Sequence, residues 1–284
     1  MNNPTATLLL SCADQTGLVA KIANFIYANG GNIIYADQHT DTTTEMFLTR
    51  IEWELTEFNL AKEVIAPAFS AIAKPFDANW QIHFSDNIPR IALWVTKQDH
   101  CLLDLLWRWK AKELNTDICL IISNHTDLKP IADQFEIDFH YFPITKDTKT
   151  EQEAHQLELL QKYQVDLVVL AKYMQILSPG FVEKFSNIIN IHHSFLPAFP
   201  GANPYQRAYK RGVKIIGATA HYVTEDLDEG PIIEQDVIQV SHRDTVPDLI
   251  RKGKDMERLV LARAVRLHLQ NRVLVYNNRT VVFA

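Results

Sequence analysis

From Arg90 onward, apolar runs of strand length alternate with segments of helical period, and this order admits few architectures. The run Asp166-Leu167-Val168-Val169-Leu170-Ala171 shows no polar alternation, so the strand it predicts is covered on both faces. Arg90–Thr96, Asp117–Ser123 and Asp138–Phe142 predict further strands, with helices over Cys101–Lys112, Leu128–Phe135 and about Thr150–Tyr163. Such a succession predicts a mostly parallel sheet with helices on both faces. A helical turn over Phe181–Phe185 leads into another short buried strand, Ile188-Ile189-Asn190-Ile191. Ligand groups gather where the strands of open α/β sheets end. That singles out His192, His193 and the segment after them, broken by Pro197, Pro200 and Gly201.

Asn190 and His192 alternate with Ile189 and Ile191, so both point to one side of an extended chain. An amide beside an imidazole can donate to a carbonyl oxygen and exchange a proton, which suits acyl chemistry. The same two residues read equally well as a satisfied polar pair in a core. Met174, Ile176 and Leu177 can line an apolar slot for a flat heterocycle or simply seal the sheet. Tyr205–Arg211 reads as a helix, and Lys214–Val223 and Ile232–Val240 as strands. The loop Glu225-Asp226-Leu227-Asp228-Glu229-Gly230-Pro231 between those strands is acidic, ordinarily a solvated turn. If one carboxylate folds inward beside His192, it can orient the imidazole and polarise a water. Asp228 is the candidate, because Gly230 lets the backbone bend close to the site. A long amphipathic helix over Thr245–Leu269 and a hairpin over Arg272–Phe283 end the chain. His242, His268 and the remaining histidines read as surface or structural residues.

The first 84 residues follow a different rhythm. Thr5–Ser11 predicts a strand whose Leu8-Leu9-Leu10 leaves no exposed face. A helix over Leu18–Tyr27 ends at Asn29-Gly30-Gly31. Strands over Asn32–His39 and Glu45–Glu54, a helix over Leu60–Ala73 and a strand over Trp80–Phe84 complete a ferredoxin-like βαββαβ order. Ser85–Pro89 is a polar linker. The expected organisation is therefore a small domain over residues 1–84, a linker over 85–89, and a larger Rossmann-like α/β domain over 90–284.

Composition excludes several classes. A net charge of −6 argues against a general nucleic-acid or anionic-membrane surface. No apolar run has the length of a membrane span, and the N-terminal residues have neither a basic nor an apolar leader region. Three cysteines, Cys12, Cys101 and Cys119, lie in separate apolar segments and form neither a disulfide framework nor a metal motif. The cytoplasm is the expected compartment.

Three motifs in order carry a family resemblance: Met174-Gln175-Ile176-Leu177-Ser178-Pro179, Asn190-Ile191-His192-x-Ser194-x-Leu196-Pro197, and His221-Tyr222-Val223-Thr224-x-x-Leu227-Asp228-x-Gly230-Pro231. Together they resemble the folate-dependent formyltransferase fold. The N-terminal segment resembles an ACT domain, whose opening strand-turn-helix carries an Asp-x-x-Gly signature, here Asp14-Gln15-Thr16-Gly17. An ACT-like domain joined to a formyltransferase-like domain resembles the deformylase branch of that family, over essentially the whole chain. The resemblance implies catalytic roles for Asn190, His192 and Asp228, with His221 near the Asp. It implies a folate slot at Met174, Gln175, Ile176, Leu177, Glu225, Asp226 and Leu227. It also implies a homo-oligomer formed through the ACT-like domain, with an amino-acid effector near Asp14, Gly17, Leu18, Asn29 and Asn32. A purely structural dimerisation domain is the alternative there.

The implied reaction is hydrolysis of 10-formyltetrahydrofolate to formate and tetrahydrofolate, within one-carbon and purine metabolism, with no tightly bound cofactor and no metal. Phosphate-bearing acceptors in the transferase branch are held by a Gly-rich loop after the first strand. Here Lys97-Gln98-Asp99-His100 stands in that place, and His193 stands where those transferases have proline. Water is then the simplest acceptor. His193 reads as a second donor or as a packing residue. Formyl transfer to an amine and a non-catalytic, amino-acid-responsive folate-binding protein are the alternatives. A metal hydrolase using His192 and His193 is disfavoured, because neighbours on an extended chain point to opposite faces.

Overall fold

The computed structural model describes residues 3–197 and 204–283. Pro200 and Gly201, two of the predicted breaks after His193, lie outside the described residues. The chain forms two compact units, one of residues 1–88 with 270–284 and one of residues 89–269.

In the first unit, β1 (Thr5–Ala13), α1 (Leu18–Ala28), β2 (Ile33–Asp41), β3 (Met46–Glu54), α2 (Lys62–Ala73) and β4 (Asn79–Phe84) follow in the expected order. The four strands form an antiparallel sheet in the order β2-β3-β1-β4. Leu8, Leu10, Ile51 and Trp53 on one face pack against Ile22, Phe25 and Ile26 of α1 and Ile65 and Phe69 of α2. The opposite face accounts for the unbroken apolar run in β1. There Leu9 and Leu48 are covered by Leu274 and Phe283 of the C-terminal hairpin β12 (Val273–Tyr276) and β13 (Arg279–Val282). Arg50 ties the hairpin down by donating from Nε to the Asn271 carbonyl at 2.9 Å, and the Tyr276 hydroxyl donates to Asp41 at 3.2 Å. Chain position assigns residues 270–284 to the larger domain. The packing assigns them to the small one, because an apolar sheet face needs cover and the hairpin supplies it.

The second unit contains a seven-stranded sheet in the order β11-β10-β9-β8-β5-β6-β7. Its strands are β5 (Arg90–Val95), β6 (Asp117–Ser123), β7 (Phe139–Tyr141), β8 (Leu167–Leu170), β9 (Ile188–His192), β10 (Ile215–Tyr222) and β11 (Ile232–Gln239). The pairs from β7 through β9 are parallel, whereas β9–β10 and β10–β11 are antiparallel. The helices are α3 (His100–Lys110), α4 (Lys129–Gln134), α5 (Lys149–Lys162), α6 (Pro179–Lys184), α7 (Pro204–Arg211) and α8 (Val246–Leu269). Trp94 of β5 is fully buried and lies edge-on to Tyr173 and Phe181, with ring centroids 5.2 and 5.4 Å away. Such pairs add about 0.5–1.5 kcal/mol beyond area burial. They fix the chain on both sides of the segment from Met174 to Ser178. No helix among the described residues is long and apolar enough to cross a membrane.

Candidate active site

The carboxyl ends of β8 and β9 and the loop between β10 and β11 enclose a cavity of about 250 Å³. The predicted residues Met174, Gln175, Ile176, Leu177, Asn190, His192, His193, His221, Glu225, Asp226, Leu227 and Asp228 all line it. Register explains part of this convergence. His221 of β10 stands opposite Asn190 of β9, and Thr219 opposite His192.

Asp228 reaches inward from the acidic loop, its backbone in the left-handed region at φ 59°. Aspartate enters this region more readily than most residues. One carboxylate oxygen accepts from His192 Nδ1 at 3.2 Å, and the other lies 3.7 Å from His221 Nε2. His192 is 5% exposed, and its Nε2 has no hydrogen-bond partner among the described residues. With Nδ1 held by the carboxylate, Nε2 is the ring atom left to meet a reacting group. His221 Nδ1 donates to the Tyr222 carbonyl at 2.8 Å, and its Nε2 accepts from the Asn190 amide at 3.2 Å. That bond orients the amide and leaves its second N–H for the cavity.

Burial raises the Asp228 pKa, but the hydrogen bond from His192 and the neighbouring His221 imidazole outweigh it and hold the carboxyl well below the usual carboxylate range. An anion of that strength is a firm orienter of an imidazole and a weak proton acceptor. Its folded pKa lies below its unfolded value, so its contribution to stability is present above about pH 4 and lost as the pH falls through the folded value. Denaturant unfolding is expected to show the stability difference between wild type and Asp228→Asn shrinking below about pH 4. A difference that stays constant with pH would contradict the pairing.

Gly230 sets where this loop can run. A Cβ at Gly230 would collide with the Tyr222 carbonyl oxygen and carbon, so only glycine lets the loop press against β10. Gly230→Ala is expected to displace Asp228 and lower kcat about 10²-fold, the scale for a misplacement of about 1 Å. Retention of wild-type kcat would show that the loop has another way to hold Asp228.

The apolar slot is stapled. Met174 donates its backbone N–H to Thr96 Oγ1 at 2.9 Å, and Ser178 donates its backbone N–H to Glu153 at 3.0 Å. The Ser178 hydroxyl also donates to Glu153 and caps α6 by accepting from the Phe181 amide. Met174 and Leu227, both lining the cavity, remain 56% and 59% exposed. Fully burying apolar side chains of this size contributes about 1.5–3 kcal/mol each, and a flat ligand that covers the remaining exposed part gains a fraction of that.

Several positions escaped sequence reasoning. Thr219 Oγ1 accepts from the Leu196 amide and donates to the Ser194 carbonyl, while Gln235 donates to the Leu196 carbonyl; these bonds fix the segment after His193. The rings of His192 and His193 stack, with centroids 4.8 Å apart and planes 17° apart. Alternation predicts opposite faces for them, but β9 ends at His192 and the chain bends there. His268 has a partner, the Tyr222 hydroxyl, at 2.8 Å. Among the described residues, the grouping whose ligand atoms converge as a metal site would require is His100, Cys101 and Glu257. None of these lines the cavity, and the Lys172 ammonium, 3.3 Å from Glu257, already opposes that carboxylate. Burial pushes the Cys101 thiol far above its ordinary value.

In the small unit, the residues expected to meet an effector divide. Asp14 and Gly17 precede α1, and Asn29 and Asn32 follow it, a separation of about 16 Å along an 11-residue helix. Leu18 packs in the core. Asn29 donates to the Phe25 carbonyl and Asn32 to Glu54.

Residues 89–265 match the formyl transferase family, and residues 6–54 the ACT domain family. A formyl-transferase α/β domain carrying an Asn–His–Asp cavity, joined to an ACT module, is thus the class that fold and site define. A formyltetrahydrofolate deformylase of Synechocystis sp. is 69% identical over 284 residues, covering 100% of both chains. The crystal structure of a formyltetrahydrofolate deformylase from Pseudomonas syringae pv. tomato superposes with a TM-score of 0.97 at 44% identity, covering 100% of this chain and 96% of that one. A glycinamide ribonucleotide transformylase from Symbiobacterium toebii superposes with a TM-score of 0.67 at 32% identity, over 71% of this chain and 97% of that one. The chain belongs to the formyltetrahydrofolate deformylase family.

Proposed function

We propose that this cavity hydrolyses 10-formyltetrahydrofolate, with Asn190, His192 and Asp228 as its working groups. The observation that carries the assignment is the His192 ring, which lines the cavity, is tied at Nδ1 to Asp228 and keeps a buried Nε2 with no hydrogen-bond partner among the described residues. The folate lies in the slot between Met174–Leu177 and Glu225–Leu227, which brings its N10-formyl group to β9. Water attacks the formyl carbon, and the carbonyl oxygen becomes an oxyanion that takes hydrogen bonds from the Asn190 amide and the charged His192. Asp228 stabilises that imidazolium and positions the water, and its low basicity favours passing the water proton on through the His192–Asp228 pair. The C–N bond then breaks, N10 receives a proton, and formate and tetrahydrofolate leave.

The acceptor is water because no second substrate is required by these groups. With no amine added, formate and tetrahydrofolate are expected to appear one for one. Tetrahydrofolate formation that depends on an added amine would support transfer, and tight folate binding without formate would support a binding protein. Activity that survives exhaustive chelation is expected on this reading.

The ACT module supports a small-molecule effector and pairing of two chains. Asp14 and Gly17 lie too far from Asn29 and Asn32 to share one small ligand within a single copy, so both sets meet an amino acid only where two modules face each other. Titration calorimetry with the common amino acids tests this: heat with one of them is expected, and no heat with any favours a structural dimerisation module.

A further inference from the structure

Glu257 lies in the middle of α8 yet is buried, and three donors converge on its carboxylate. His100 Nε2 at 2.7 Å and the Lys172 ammonium at 3.3 Å share one oxygen, and the Tyr205 hydroxyl meets the other at 2.7 Å. A charge enclosed in this way holds each donor to one geometry. Tyr205 is fixed from a second side. Gly253, one helical turn before Glu257, leaves the space that the phenol fills, and a Cβ there would collide with the Tyr205 hydroxyl and ring. The Tyr205 ring lies 6.4 Å from that of His193, tilted by 45°, and His193 in turn stacks on His192. Sequence features that set this chain apart from the transferase pattern, His100 and His193, therefore meet through buried Glu257 and half-buried Tyr205 beside the catalytic ring.

His192 needs such support. Its bond to Asp228 pins Nδ1 alone, so the plane of this buried ring is set by what packs against its faces. A catalytic donor must be held within about 0.5 Å and 10–20° to be effective. A flat neighbour against the ring face limits tilt, and a neighbour that is itself locked limits it best. We propose that Tyr205, locked by Glu257, is a positioning residue for the deformylase reaction, acting through the stacked His193 to fix the plane of His192. In this role His193 contributes its face rather than a proton.

The inference rests on His192 being the working imidazole. The test compares His193→Ala, His193→Phe and Tyr205→Phe in the full-length protein, alongside His192→Ala. The measurements are kcat and KM for 10-formyltetrahydrofolate and the Kd for tetrahydrofolate, which reports an intact cavity. His193→Ala is expected to lose about 10-fold in kcat with KM and Kd within about twofold, since only the transition state requires the aligned donor. His193→Phe keeps a flat face and is expected to recover kcat to within about threefold of wild type, and Tyr205→Phe, which loses the lock but keeps the ring, to lose about threefold. His193→Phe as slow as His193→Ala would overturn the proposal, because a polar or proton-carrying role would then be required. Wild-type kcat in either His193→Ala or Tyr205→Phe, or a change confined to KM, would also overturn it. Wild-type turnover in His192→Ala would instead sink the underlying reading of the site.

Discussion

Asp228→Asn is expected to lower kcat by about 10³-fold or more, while the Kd for tetrahydrofolate changes little. An amide in that position can present an N–H to His192 Nδ1 instead of accepting from it, which favours the wrong tautomer and withdraws the charge that stabilises an imidazolium. The carboxylate now accepts from His192 at 3.2 Å and stands 3.7 Å from His221, so one substitution disturbs both imidazoles. Met174–Leu177, one wall of the proposed slot, are on another segment and keep their contacts. Steady-state turnover beside equilibrium binding separates these effects. Near-normal kcat would remove Asp228 from the mechanism, and an equal loss of binding would make it a ligand for the folate.

Asn190→Ala is the second large effect. It removes an oxyanion donor, and losses of this kind cost about 10²–10³ in kcat, or about 2.7–4 kcal/mol. The substitution also frees His221 Nε2, which accepts from the amide at 3.2 Å, while its Nδ1 remains held by the Tyr222 carbonyl. KM is expected to stay within a fewfold of wild type, because the amide meets developing charge rather than the bound ground state. A rise in KM at constant kcat would mean that Asn190 binds the folate instead.

Local pattern made the α/β order legible, and the polar positions it singled out line one cavity. Ile188–His192 is an apolar strand interrupted by polar residues at alternate positions, and alternation alone places Asn190 and His192 on one side. The unbroken Leu8-Leu9-Leu10 run required cover on both faces of β1, although the second cover is a hairpin from the far end of the chain. What escaped notice depends on tertiary placement. The His192–His193 stack forms because the strand ends between them, and a rule for extended chains does not apply across such a bend. Glu257 and Lys172, charged residues that pattern assigns to a solvated face, are paired inside with side chains only 2% and 5% exposed. A buried pair of this kind is identified by its partners, which lie 85 positions apart along the chain. Thr219 and Gln235 look like ordinary strand residues until the Ser194–Leu196 segment is seen hanging from them. The positions expected to meet an effector fall in two stretches of sequence, and α1 separates them in space.

Hydrolysis by the Asn190–His192–Asp228 cavity is the central claim, and a single turnover in H₂¹⁸O without any amine tests it most directly. Water attack on the formyl carbon predicts formate carrying one ¹⁸O atom, in amounts equal to the tetrahydrofolate formed, and almost none from the Asp228→Asn protein in the same time. Formate without the label, or no formate until an amine is supplied, would contradict it.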